Sequence, residues 1–242
     1  VATKNIFGLS ASFRGAGGAL LHLAFPHLCA GCGSDVLSKD QQLCTVCFEQ
    51  LPATSFEHHA ANPVEKIFWG RLALRYGTAQ YFFTKGSVIQ ELMHQLKYKG
   101  NKDLGLVLGK IMGSQLAATN RFREVDALVP LPLYPEKEHK RGYNQAQVLC
   151  QGIAETLGKP VLSKAVIRTH HTESQTKKSR VERWQNMEGR FLLQDEKTVQ
   201  GKHLLLVDDV VTTGATLEAC GRELLEVPGT TLSIATLCCA FN

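Results

Sequence analysis

The chain has 242 residues, 44% of them hydrophobic, enough for one large domain with a small appendage and a sizeable buried core. That composition excludes disordered and collagen-like chains, and without a run of about eighteen apolar residues no membrane span is expected. The net charge of +5 is mild, but the cations gather in two segments, Lys137 to Arg141 and Arg168 to Arg183, a distribution that suits phosphate-rich ligands or an ordinary solvated surface.

Near the start, Arg14 and His22 interrupt a mildly apolar stretch, which makes a poor signal peptide, and a cytoplasmic location is expected. The glycine-rich run Arg14 to Gly18 follows no strand pattern and is set aside as a phosphate loop. Residues 19–25 read as the end of a short amphipathic helix that Pro26 stops. Cys29, Cys32, Cys44 and Cys47 then form two C-x-x-C pairs separated by eleven residues. Four thiolates at that spacing suit a closed, structural Zn²⁺ site, two redox pairs being the other reading. Gly31 and Gly33 fit the tight knuckle turn, and His27 reads as packing rather than as a ligand. Cys150, Cys220, Cys238 and Cys239 sit in apolar segments and read as inert. Pro52 to Pro63 reads as a linker in which His58 and His59 have no chemical part. The organisation expected is residues 1–56 as a helix and zinc module, and 57–242 as a second domain.

The second domain alternates in the manner of a parallel α/β fold. One or two strands are expected in 71–84, and helices over 88–96 and 104–116, where apolar residues recur at helical spacing. Strand 125–131 follows, then helix 144–157 stopped by Gly158, and a short strand 160–162. Residues 168–190 are polar and basic, too long for an ordinary connection, and read as a functional lid or a disordered loop. Strand 203–208, helix 216–225 and strand 231–237 close the pattern. Lys97, after the first helix, reads as a surface lysine rather than as a pyrophosphate contact.

The informative segment is Leu204-Leu205-Leu206-Val207-Asp208-Asp209-Val210-Val211-Thr212-Thr213-Gly214-Ala215-Thr216. Its apolar run reads as a strand buried on both faces, ending in two carboxylates where an α/β sheet opens its ligand crevice. Carboxylates repel phosphate but accept hydrogen bonds from adjacent sugar hydroxyls. The loop that follows offers free N–H groups, three threonine hydroxyls and a helix start to a phosphate. Together they read as a site for ribose 5-phosphate. Changing Thr213 or Gly214 to valine is expected to abolish binding with little loss of stability. A second loop, Val129 to Gln145, presents Lys137, Lys140 and Arg141 after a strand and suits a pyrophosphate.

The Asp208–Thr216 segment closely resembles the phosphoribosyl pyrophosphate (PRPP) signature of type I phosphoribosyltransferases. Leu131-Pro132-Leu133-Tyr134-Pro135 with Arg141-Gly142-Tyr143-Asn144-Gln145, the Thr172-x-x-Gln175 segment and Arg183 with Asn186 narrow the resemblance to the ComF family, associated with DNA uptake in competent bacteria. The resemblance implies a type I phosphoribosyltransferase fold behind a small zinc ribbon. It implies Asp208 and Asp209 on the ribose hydroxyls, Thr212, Thr213, Gly214, Ala215 and Thr216 around the 5′-phosphate, and Mg²⁺ held with PRPP. Lys137 and Arg141 then face the pyrophosphate, and Thr172, Gln175, Arg180 and Arg183 belong to a lid. The expected activity is transfer or recognition of a phosphoribosyl group; the alternative is a non-catalytic protein that binds single-stranded DNA and senses PRPP. DNA-uptake proteins are the other partners implied. Glutamine-dependent amidotransfer would need a nucleophile domain that about fifty residues of zinc module cannot supply.

Overall fold

The computed structural model describes residues 27–35, 37–38, 41–169 and 190–241. The helix expected over 19–25 lies outside them. In chain order the elements are helix α1 (Thr45–Glu49), helix α2 (Pro63–Phe68), strand β1 (Tyr76–Phe82), helices α3 (Val88–Tyr98) and α4 (Lys102–Ala117), strand β2 (Ala127–Pro130), helices α5 (Pro135–Arg141) and α6 (Gln145–Leu157), strands β3 (Val166–Thr169), β4 (Arg190–Leu193) and β5 (His203–Val211), helix α7 (Ala215–Leu225) and strand β6 (Thr231–Cys239).

β1, β6, β5 and β2 pair in that order into a sheet that is parallel throughout. Helices cover both faces, as the parallel arrangement requires. On one face Leu205, Val207 and Leu237 meet Leu92 and Leu96 of α3, Leu104 and Leu108 of α4, and Leu149 and Ile153 of α6. On the other, Leu204, Leu206 and Ile234 meet Val64 and Phe68 of α2 and Leu217 and Leu224 of α7. Leu204 to Val207 are fully buried, as their uninterrupted apolar run implies. Helix ends follow local chemistry: the Asn144 side chain accepts from the Ala146 N–H, and Gly158 at φ +65° closes α6.

Three expectations need correction. Pro52 to Pro63 is no free linker. Thr54 N–H donates to the Gln80 carbonyl and Phe82 N–H to that of Pro52, so this stretch lines the outer edge of β1. Buried Asn62 then accepts from the N–H groups of Val64 and Glu65 while donating to the carbonyls of Phe56, His59 and Gly77. The segment from Lys137 to Arg141 is helix α5, not loop: Pro135 sits in its first turn, acids lead, cations end it, and Gly142 at φ +78° closes it. Finally, Pro160 to Leu162 forms only an isolated bridge, Leu128 with Val161. The two ends of the 168–190 segment meet as an antiparallel pair, Thr169 opposite Arg190 and Arg168 opposite Phe191. Thr172, Gln175, Arg180 and Arg183 lie outside the described residues.

Candidate phosphoribosyl site

β5 outruns β2. The last register pair between them is Pro130 with Val207, and Leu131 N–H closes the edge on the Val207 carbonyl. From Asp208 onward β5 keeps β6 on one side, with Asp208 opposite Thr236, and faces an open crevice on the other. The strand was expected to end at Asp208; it continues to Val211, so both acids stand inside the strand. Successive residues then alternate faces, and the two carboxyls diverge. Asp209, 7% exposed, lies on the face of Leu205 and Val207. There its Oδ2 meets Lys97 Nζ at 3.1 Å. Asp208 lies on the opposite face, where its Oδ1 accepts the Asp209 N–H at 2.7 Å. Burial, then the neighbouring Asp209 charge, push the Asp208 carboxyl well above the usual carboxylate range, against the pull of Lys97 and Arg168.

Lys97 is therefore not the surface lysine expected. It follows Met93 by one turn on the buried side of α3, a spacing that could have revealed it. Arg168, counted among the cations of the 168–190 segment, is a second cation beside the site: its guanidinium stacks 3.9 Å from the Tyr134 ring and 5.0 Å from that of Phe191.

After Val211 the chain turns through Thr212 and Thr213, both exposed, into α7, for which Gly214 is the N-cap. Gly214 has φ +75°, and a Cβ there would lie 2.8 Å from Ile67 Cγ2 and Phe68 Cε1. A valine at this position thus strains the fold, contrary to the little loss of stability expected. Behind the loop, Arg71 Nη1 donates to the Thr213 carbonyl at 2.9 Å and its Nε to Glu218 at 2.8 Å, while Arg222 holds the other Glu218 oxygen. Burial raises and the two arginines lower the Glu218 carboxyl, and the arginines win. The loop is thereby fixed from outside, and its inner side forms a small open depression with Asp208, Val210, Thr212, Thr213 and Thr216 on its walls. The first N–H groups of an eleven-residue helix open there, a ready anion site. Of the α5 cations Lys137, Lys140 and Arg141, Arg141 stacks 5.8 Å from the Tyr98 ring and donates to Gln145, Lys137 leans over Tyr134 at 5.7 Å, and none of the three lines this depression.

The four cysteines converge, their sulfurs all within 4.8 Å of one another. Cys32 and Cys44 Sγ are 3.8 Å apart. That is the edge of a tetrahedron with about 2.3 Å metal–sulfur bonds, so the cluster fits zinc. Burial raises the Cys29 thiol, but N–H groups of Cys32, Cys44 and Gly31 outweigh it and bring it down to about 6; burial pushes Cys47 up. His27 bonds the Gln41 carbonyl and stands outside the cluster. The knuckle is docked on α3: Gln95 Nε2 donates to the Ala30 carbonyl at 2.7 Å, and a Cβ on Gly31 would meet Cys47 Sγ at 2.7 Å and Val88 Cγ1 at 3.0 Å.

Residues 141–240 match the phosphoribosyl transferase domain model. The DNA utilization protein YhgH of Shigella flexneri is 31% identical over 222 residues, 89% of this chain and 92% of that protein. Competence protein F of Haemophilus influenzae is 29% identical over 84% of this chain and 86% of its own. Competence protein ComFC of Bacillus subtilis is 31% identical over 60% of this chain and 56% of its own. With the parallel sheet, the carboxylates on β5 and the glycine-centred loop before α7, these likenesses identify the chain as a member of the ComF/YhgH family of phosphoribosyltransferase-like proteins.

Proposed function

We propose that the protein binds PRPP with Mg²⁺ and transfers its phosphoribosyl group. The observation that carries this reading is the passage of β5 beyond β2, which sets Asp208 and Asp209 on an open edge directly before the loop at 212–216. Asp208 and Asp209 accept the ribose hydroxyls; the N–H groups of 212–216 and the threonine hydroxyls hold the 5′-phosphate. The two carboxyls stand on opposite faces of β5, so a hard divalent cation would be held with the PRPP oxygens, where its charge would neutralise the pyrophosphate leaving group. Lys97, ion-paired with Asp209, holds it in place beneath the sugar, and Arg141 at the end of α5 faces the pyrophosphate. The protein supplies no nucleophile; the acceptor does. Cys29, Cys32, Cys44 and Cys47 hold one structural Zn²⁺, and the protein works in the cytoplasm. Among the described residues no helix is long and apolar enough to cross a membrane. The names of the relatives, DNA utilization protein and competence protein, favour a second role in which the same site senses PRPP for a DNA-handling process. Calorimetry of PRPP·Mg²⁺ binding, with and without Thr213→Val, tests the site. Unchanged affinity in that variant refutes it. Pyrophosphate release then separates turnover from sensing.

A further inference from the structure

Consecutive residues in the last turn of α3 make tethers to three separate parts of the molecule. Gln95 Nε2 donates to the Ala30 carbonyl of the cysteine knuckle at 2.7 Å. The Leu96 carbonyl accepts the hydroxyl of buried Tyr143, which stands between α5 and α6. Lys97 Nζ meets Asp209 Oδ2 at 3.1 Å. The Gln95 side chain is itself held: its Oε1 accepts from Asn101 Nδ2 at 3.1 Å, and Asn101 caps α4 through the Leu104 N–H. Gln95 thus joins the knuckle to both helices, while its neighbours reach the α5–α6 junction and the sugar side of the candidate site.

The knuckle end of this chain of contacts is equally fixed. Ala30 is 5% exposed and lies between the two thiols of Cys29 and Cys32; its N–H donates to the Gln42 carbonyl at 2.9 Å. Val88, the first residue of α3, packs against the knuckle at the other end of the helix. A metal that fixes the four sulfurs therefore fixes the Ala30 carbonyl, and with it the amide of Gln95. Lys97 follows two residues later on the same hydrogen-bonded helix, so one cannot shift far without the other.

This inference rests on the phosphoribosyl reading of the site and on zinc in the knuckle. Given both, we infer that the last turn of α3 is a strut between them. Gln95 is a positioning residue through which the knuckle holds Lys97, and hence Asp209, in place for the sugar. Zinc and PRPP then each tighten the binding of the other. A turn already ordered by one tether has less freedom to lose when the next is made. Linkage requires the effect to be equal in both directions. The zinc takes no part in the chemistry, yet its presence is felt at the sugar.

The test uses the full chain, purified with its zinc. Equilibrium zinc affinity is measured by competition with the chromophoric chelator pyridylazoresorcinol, with and without saturating PRPP·Mg²⁺; PRPP affinity is measured by calorimetry on the zinc-loaded chain. Thr213→Val, at the same PRPP concentration, sets the baseline for zinc taken up by free PRPP itself. In the wild type, PRPP·Mg²⁺ should tighten zinc binding about fivefold over that baseline, the lower end of ordinary coupling between sites. Gln95→Met keeps the length of the side chain and loses its donor and acceptor. It should still hold zinc, bind PRPP about fivefold more weakly, and make zinc affinity indifferent to PRPP. A tether that merely stabilised the fold would lower the melting temperature of Gln95→Met with no effect of PRPP on zinc in the wild type. Zinc affinity that PRPP does not raise above the baseline, in a wild type that binds PRPP, overturns the strut and leaves the phosphoribosyl site standing. Coupling that survives Gln95→Met does the same. No PRPP binding by the wild-type chain overturns that reading, and the strut with it.

Discussion

Replacing Gly214 by alanine should damage the fold before it damages binding. At φ +75° a side chain costs about 1–2 kcal/mol in the left-handed region. The added Cβ also lands 2.8 Å from Ile67 Cγ2 and Phe68 Cε1, and 2.9 Å from Phe68 Cζ, with α2 buried behind them. Forcing a methyl into such packing costs about 1–3 kcal/mol. The sum, about 2–5 kcal/mol, is a large part of a domain's stability and lowers the melting temperature by roughly 4–20 °C at this size. Thr213→Val is the matched control: the residue is exposed, its hydroxyl reaches only Ala215 N–H at 3.5 Å, and its carbonyl keeps Arg71. Its stability should stay within about 0.5 kcal/mol while PRPP affinity falls. Differential scanning calorimetry of the two variants decides the matter. If Gly214→Ala melts within about 2 °C of wild type, the packing of the loop against α2 is not what holds it.

The remaining expectations concern charge, metal and capping. Purified, unstripped protein should carry one equivalent of zinc by elemental analysis, and Cys44→Ser should lose it and free the knuckle from α3; less than half an equivalent refutes the site. Because Asp208 is held protonated above its ordinary range, its stabilising contribution is complete below the unfolded carboxylate value near 3.8 and is lost as pH rises through the folded value. Asp208→Asn should therefore melt higher than wild type in neutral buffer, whereas PRPP·Mg²⁺ affinity of the wild type should weaken as buffers turn acidic. An unchanged melting temperature, or affinity flat with pH, contradicts this. Lys97→Met strands Asp209 in a site only 7% exposed; breaking such a pair costs about 3–5 kcal/mol, readable in urea midpoints. Asn62→Ala removes a cap and three carbonyl contacts and should cost about 2–3 kcal/mol in the same assay.

Where local pattern decides structure, the sequence was sufficient. The buried run 204–207 could only be an inner strand, and Gly158, Asn144 and the apolar spacing of 88–96 and 104–116 marked helices that the fold contains. The convergence of four cysteines followed from spacing alone. What was not legible depends on partners distant in the chain. That Asp208 and Asp209 lie within β5 depends on β6, which pairs with β5 as far as Val211. The polar stretch 52–63 looked like a linker because the bonds that dock it, from Thr54 and Pro52 to Gln80 and Phe82 and from Asn62 to Gly77, go to β1, a partner later in the chain. Lys97 looked superficial until α3 was seen to lay it against Asp209, 112 positions later in the chain by their numbering. The strain at Gly214 likewise comes from Ile67 and Phe68, which no window around the loop contains.

The strand order β1-β6-β5-β2 has a consequence for the growing chain. β6 is the last strand in sequence, yet it lies between the first and the fifth, so β1 has no sheet neighbour on its inner edge until Cys239 has left the ribosome. Until then it is bonded by Pro52, Thr54, Asn62 and Glu65, which precede it in the chain. Synthesis runs at about 5–20 residues per second, so the interval from β1 to β6, some 150 residues, lasts roughly ten seconds or more. The four thiols of the cysteine knuckle lie within residues 29–47, so they can gather throughout that interval. β2 and β5 can pair before then, but the four-stranded sheet is complete only when β6 enters between β1 and β5.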